Sequence, residues 1–231
     1  MTTTERAPVL VVLQLTGGND YMNTVIPYAD PNYYDSRPNL GIAEDAVLKL
    51  DGELGFHPSM GAVKEVYDQG DMAIIHGVGY QNPSRSHFRS MDIWHTAEPD
   101  SVATEGWLGR VIRELDPEGE NPVTAVNIGQ GLPRALVAPD ASVSCVADLS
   151  TYGLLTSIEQ EDRRTRMLDR FASMYAPAVG TGVVTDYLRR TGTDLLKGVD
   201  ILKSALDPYS SSVEYASNGI AGSLRDIAMI H

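Results

Sequence analysis

Two apolar runs, Pro8 to Leu15 and Met72 to Val78, broken only by Gln14 and His76, constrain this chain more than any other feature. Each is rich in Val, Leu or Ile and lacks the polar alternation of a half-exposed strand, which predicts strands buried on both faces at the centre of a sheet. Between them, Pro58 stands at the first position of a helical stretch that runs to Gln69, with Gly70 as its stop. Strand, helix and strand with short joins make a βαβ unit, so the expected fold is α/β, a mostly parallel sheet with flanking helices. The segment Leu48 to Phe56, broken by Asp51-Gly52, reads as a small hairpin, and Asp30 to Arg37 as a short polar, tyrosine-rich stretch.

After the turn Gly79 to Arg85, a helix is expected from the N-cap Ser86 to Ala97, and another over Trp107 to Leu115. Thr124 to Ile128 and Ala135 to Ala138 read as short strands. The period then changes. Leu154, Leu155, Ile158, Met167, Leu168, Phe171 and Tyr175 mark one amphipathic helix, and Val184, Tyr187, Leu188, Leu195, Val199, Leu202 and Leu206 a second, together a helical hairpin. Residues 1–150 are expected to form the α/β core, and 151–231 the hairpin plus the start of the next α/β element of the same domain. Ile220 to His231 is periodic but carries no capping glycine, basic last turn or proline, which reads as a fold incomplete at its C-terminus.

With 18 Lys and Arg against 31 Asp and Glu, the formal charge is −13. Such a surface repels phosphate backbones and anionic lipid, which argues against nucleic-acid and membrane partners; a small anionic substrate needs cations gathered locally. Cys145 stands alone, so there is no internal disulfide, and it reads as a small buried residue near Val143 to Val146. Met1 to Arg6 has no basic n-region and Val9 to Leu13 is too short for a signal segment, so the chain as written reads as cytoplasmic.

Two segments could carry chemistry. Ligands of open α/β sheets bind at the carboxyl ends of the strands, where Gly17-Gly18-Asn19-Asp20 lies. Asp20 could ligate a metal and Asn19 could donate to an anion; the same residues are also those that plain turns favour. The second segment, Gln81 to His87, opens a helix, so its amides and the positive helix end face a bound anion. There Arg85 offers a bidentate fork, Ser84 and Ser86 are hydroxyls that become nucleophiles if activated, and His87 is a ligand or base. The plain alternative makes Ser86 a cap and Arg85 and His87 solvated. Asp92 and His95 share a helix face, His57 precedes Pro58, and His76 is expected as a hydrogen-bonded core residue.

Leu13 to Asp20, Asn23 to Pro27, and above all Gly77-Val78-Gly79-Tyr80-Gln81-Asn82-Pro83-Ser84-Arg85-Ser86-His87-Phe88-Arg89-Ser90-Met91-Asp92-Ile93-Trp94 resemble the bacterial family named domain of unknown function 1501. The likeness runs from about Val9 to Ala97. That family is grouped with the alkaline phosphatase and sulfatase-like hydrolases. The resemblance implies an alkaline phosphatase-like core, metal-dependent hydrolysis of phosphate or sulfate esters, a divalent cation (zinc, calcium or manganese) on Asp20, and a nucleophile at the Gln81 to His87 helix start. Pro83-Ser84-Arg85 is similar to the sulfatase signature, but Gln81 stands where its modified cysteine would be, so Ser84 or Ser86 must attack. The family's Asp-Thr-His and Asp-His-Gly motifs are not present, which implies the N-terminal portion of such a fold, inactive by itself. Two other readings stand beside it. One is a non-catalytic anion-binding or assembly protein. The other is a serine esterase of the SGNH type, whose GxND block Gly17 to Asp20 matches although its Gly-Asp-Ser nucleophile block does not precede it.

Overall fold

Asp51 closes the hairpin expected over Leu48 to Phe56, its Oδ1 accepting from the amides of Glu53 and Leu54, both at 2.7 Å. In this computed structural model, which describes residues 8–15, 17–149, 152, 160–174, 182–206 and 209–231, the chain divides into two compact units, Met1–Val78 and Gly79–His231. In the first, β1 (Val25–Ile26) and β2 (Leu48–Lys49) both pair antiparallel with β3 (Gly55–Phe56), so that Val25 and Leu48 lie opposite Phe56. A Cβ on Gly55 would overlap Val47, which is why the middle strand carries glycine there.

The tyrosine-rich stretch is a helix, α1 (Pro31–Ser36). Asp30 caps it by accepting from the Asn32 amide, and Pro31 fits the first turn. It carries Tyr33 into a core with Ile26, Tyr28 and Val47. The Tyr33 hydroxyl donates to Asn23 Oδ1 at 2.7 Å and accepts from the Ile42 amide at 2.9 Å, so the buried ring leaves no polar atom unpaired. The second helix, α2 (Gly61–Asp68), begins later than Pro58 because His57 to Met60 form a turn, with the Met60 amide donating to the His57 carbonyl. Gly70, at φ +84°, ends it as expected.

The two expected central strands are not observed. Pro8 to Leu15 and Met72 to Val78 have no regular structure, and Leu10, Leu15 and Ile75 are 72%, 64% and 75% exposed. His76 is likewise exposed rather than buried in a core. An extended segment gains its ladder hydrogen bonds only from a neighbouring strand, and the described strands of this unit pair only with one another. Apolar composition marks a run as fit for burial; it does not supply the neighbour.

The second unit follows the sequence more closely. Helix α3 (His87–Thr96) is capped by Ser86, whose Oγ accepts from the Arg89 amide at 3.4 Å, and ends at Ala97 in the left-handed region. Helix α4 (Trp107–Leu115) has the expected bounds. Both pack against a 3-10 turn, Arg134–Leu136, which stands where a strand was expected. The strand Ser144–Val146 (β5) pairs instead, parallel, with Val126–Ile128 (β4). Val146, Leu149 and Leu202 form the core over this ladder, joined by Val126, Ile128, Met229 and Ile230. Leu202 belongs to α6 (Val183–Leu206), preceded by α5 (Glu161–Met174) and followed by α7 (Gly219–Ile230), which Asn218 caps. Leu154, Leu155, Ile158 and Tyr175 of the expected hairpin lie outside the described residues. The architecture is therefore mixed α/β. Among the described residues it has a three-stranded antiparallel sheet and a two-stranded parallel one in place of a single mostly parallel sheet. No helix among these residues is long and apolar enough to cross a membrane.

Candidate functional site

The segment entering α3 is folded by its own polar side chains. Asn82 adopts φ +52°, a conformation asparagine tolerates, and the Pro83 ring fixes its own φ. The Ser84 amide donates to the Tyr80 hydroxyl at 3.0 Å, and the Ser86 amide donates to Ser84 Oγ at 3.2 Å. Ser90 Oγ donates back to the Ser84 carbonyl at 3.1 Å, tying the turn to the first turn of the helix. Both Ser84 and Ser86 thus use their hydroxyl oxygens as acceptors and keep their protons to donate. Neither is hydrogen-bonded to an imidazole or carboxylate among the described residues, so neither nucleophile is activated there.

Arg85 sits between these serines, exposed, with no ion-pair or hydrogen-bond partner among the described residues. His87 follows on the exposed first turn. Together they place a cation, two hydroxyl donors and a helix N-terminus on one short segment, a set suited to an oxyanion. Arg89, in contrast, is committed. It pairs with Asp92 at 3.2 Å and its Nη2 donates to the carbonyls of Glu98, Pro99 and Ser101.

One stripe of α3 borders a recess of about 600 Å³, lined by His87, Phe88, Arg89, Met91, Asp92 and His95, with Arg134 from the 3-10 turn. Asp92 is ion-paired to Arg134 as well as to Arg89. Asp92 and His95 do share a face, yet the carboxylate is occupied by guanidinium groups. The Arg89–Asp92 spacing of three is visible in sequence; Arg134 comes from another element, and nothing near it signals the contact.

In the first unit, Gly17 and Gly18 take φ +77° and +72°, values that favour glycine. Asp20 forms the N-cap position of a 3-10 turn, and its carboxylate is ion-paired to Arg37 at 2.6 Å. The Arg37 hydrogen bond holds the Asp20 carboxyl below the usual aspartate range. Asn19 Oδ1 accepts from Thr24 Oγ1 at 2.9 Å, leaving its amide hydrogens to donate. Among the described residues no three of the His, Cys, Asp and Glu side chains are grouped to hold a metal ion. With Asp20 facing a guanidinium, the described residues do not by themselves fit a divalent cation. Cys145 is partly buried, which raises its thiol pKa, while a hydrogen bond with Asn127 works the other way.

No protein-family model, no curated protein and no solved structure matches this chain.

Proposed function

We propose that this chain is a phosphate- or sulfate-ester hydrolase of the alkaline phosphatase and sulfatase-like kind, with the core of that fold, and that its own residues supply the anion-binding part of the reaction. The observation that carries this reading is Arg85, an exposed guanidinium with no partner among the described residues, flanked by Ser84 and Ser86 at the head of a ten-residue helix. Its fork takes two oxygens of the ester and the serine hydroxyls donate to the same group; for Ser84 or Ser86 to attack, displacing the alcohol, a base outside the described contacts must take its proton. The resemblance of Gly77 to Trp94 to domain of unknown function 1501 supports the same assignment. A divalent cation of the kind such hydrolysis uses would reach Asp20 only by displacing Arg37, and no step is assigned to it.

The Asp20–Arg37 pair favours a second reading, in which the chain keeps the anion site without catalysis. One assay separates them: an aryl phosphate, an aryl sulfate and a short-chain acyl ester, each with and without chelator, alongside metal content. Hydrolysis of a phosphate or sulfate ester supports the hydrolase reading, and its loss with chelator would show that a cation takes part. No turnover, with metal below about 0.1 per chain, establishes the non-catalytic reading. Chelator-insensitive cleavage of the acyl ester alone points to a serine esterase.

A further inference from the structure

The recess beside α3 has a chemistry different from that of the turn that leads into the helix. Phe88 lines it and is 91% exposed, an unusual position for an aromatic ring, and Met91, one turn further on, lines the same hollow. At its edge Asp92 receives both Arg89 and Arg134, so two guanidinium groups share one carboxylate and a net positive charge remains. Arg89 also donates to three backbone carbonyls, and Arg134 to that of Ala103. The recess therefore offers an apolar ring face and a thioether beside two guanidinium groups that Asp92 and backbone carbonyls already engage. At about 600 Å³ it is the size of a small-molecule site. It starts at His87, two residues after Arg85, so it begins where the anion-binding turn ends.

We propose that this recess receives the aromatic group of an aryl phosphate or aryl sulfate, stacked on Phe88 and against Met91, while Arg85 holds the anionic end. The inference rests on the anion-binding role of Arg85 and narrows the substrate class to aryl esters. Ring stacking and thioether contact strengthen when water is displaced from them, and together they set a preference for an aromatic over an aliphatic substituent.

The test uses the full chain and two dianions that differ only in that substituent and resist hydrolysis, phenylphosphonate and methylphosphonate, with phenol as the neutral probe. Phenylphosphonate is expected to bind about tenfold more tightly than methylphosphonate. Phe88→Ala removes an exposed side chain and leaves the fold intact; it should erase that preference without changing methylphosphonate binding. Equal affinities in the unaltered chain, or a preference that survives Phe88→Ala, overturn the aryl site. If methylphosphonate does not bind while phenol binds in a Phe88-dependent way, the ring site stands and the anion-binding reading fails instead.

Discussion

Arg37 decides what Asp20 can do. In sequence the aspartate reads as a metal ligand because it follows an apolar run and two glycines; its partner lies 17 residues away, at the end of α1, and no spacing rule links them. The pair has a measurable signature. Asp20 titrates below the ordinary aspartate range when folded, so its contribution to stability is present above that range and is lost as pH falls through the lowered value. Carbon-13 titration of its carboxyl should show the depressed value, and Arg37→Ala should return it toward that of a free aspartate. An unchanged titration in Arg37→Ala would remove the ion pair from the account. Arg85 is the opposite case: its role as a free cation is readable from its position before a helix cap, and the side chain is unpaired among the described residues.

At the scale of elements, the longer helices were legible, whereas the six-residue α1 and the sheet partners were not. Ser86 announces α3 because a serine oxygen can satisfy an amide of the first turn, a purely local fact. Ser86→Ala should cost about 1 kcal/mol in chemical denaturation; the same change also tests whether that hydroxyl reaches the anion, since phosphate binding would then weaken too. The Arg134–Leu136 turn was taken for a strand because apolar content near glycine and proline does not distinguish the two. What fixes it is contact with α4, where the N-cap Gly106 lies against backbone: a Cβ there would overlap the carbonyl oxygens of Arg134 and Ala135. Gly106→Ala should therefore destabilise by about 1–3 kcal/mol, as overpacking does. Denaturation curves that superimpose on those of the unaltered chain would contradict this packing.

For the whole molecule, the division between units falls at Val78 and Gly79, inside the segment expected to hold the second central strand. Residues 71–85 carry no α-helix or strand and are largely exposed. Limited proteolysis should accordingly cut within 71–85, after Arg85 with trypsin, before it cuts within α2, α3 or α4; the reverse order would contradict the exposure of this segment. The mixed α/β class is met, but by the short strands β1 to β5 rather than by the two apolar runs from which it is read in sequence. The pairing of Pro8 to Leu15 and Met72 to Val78 was not legible, because a strand is a relation between two segments and the run encodes only one of them. The charge of −13 bears on the site as well. In a chain this acidic an anion needs a local cation, and Arg85 supplies one at a helix head. The most direct measurement is equilibrium binding of inorganic phosphate to the full chain and to Arg85→Ala at low ionic strength. Saturable binding that weakens about tenfold or more in the variant is the predicted result, in line with the loss of charge-assisted hydrogen bonds. Equal binding by the two proteins, or none by either, would contradict it.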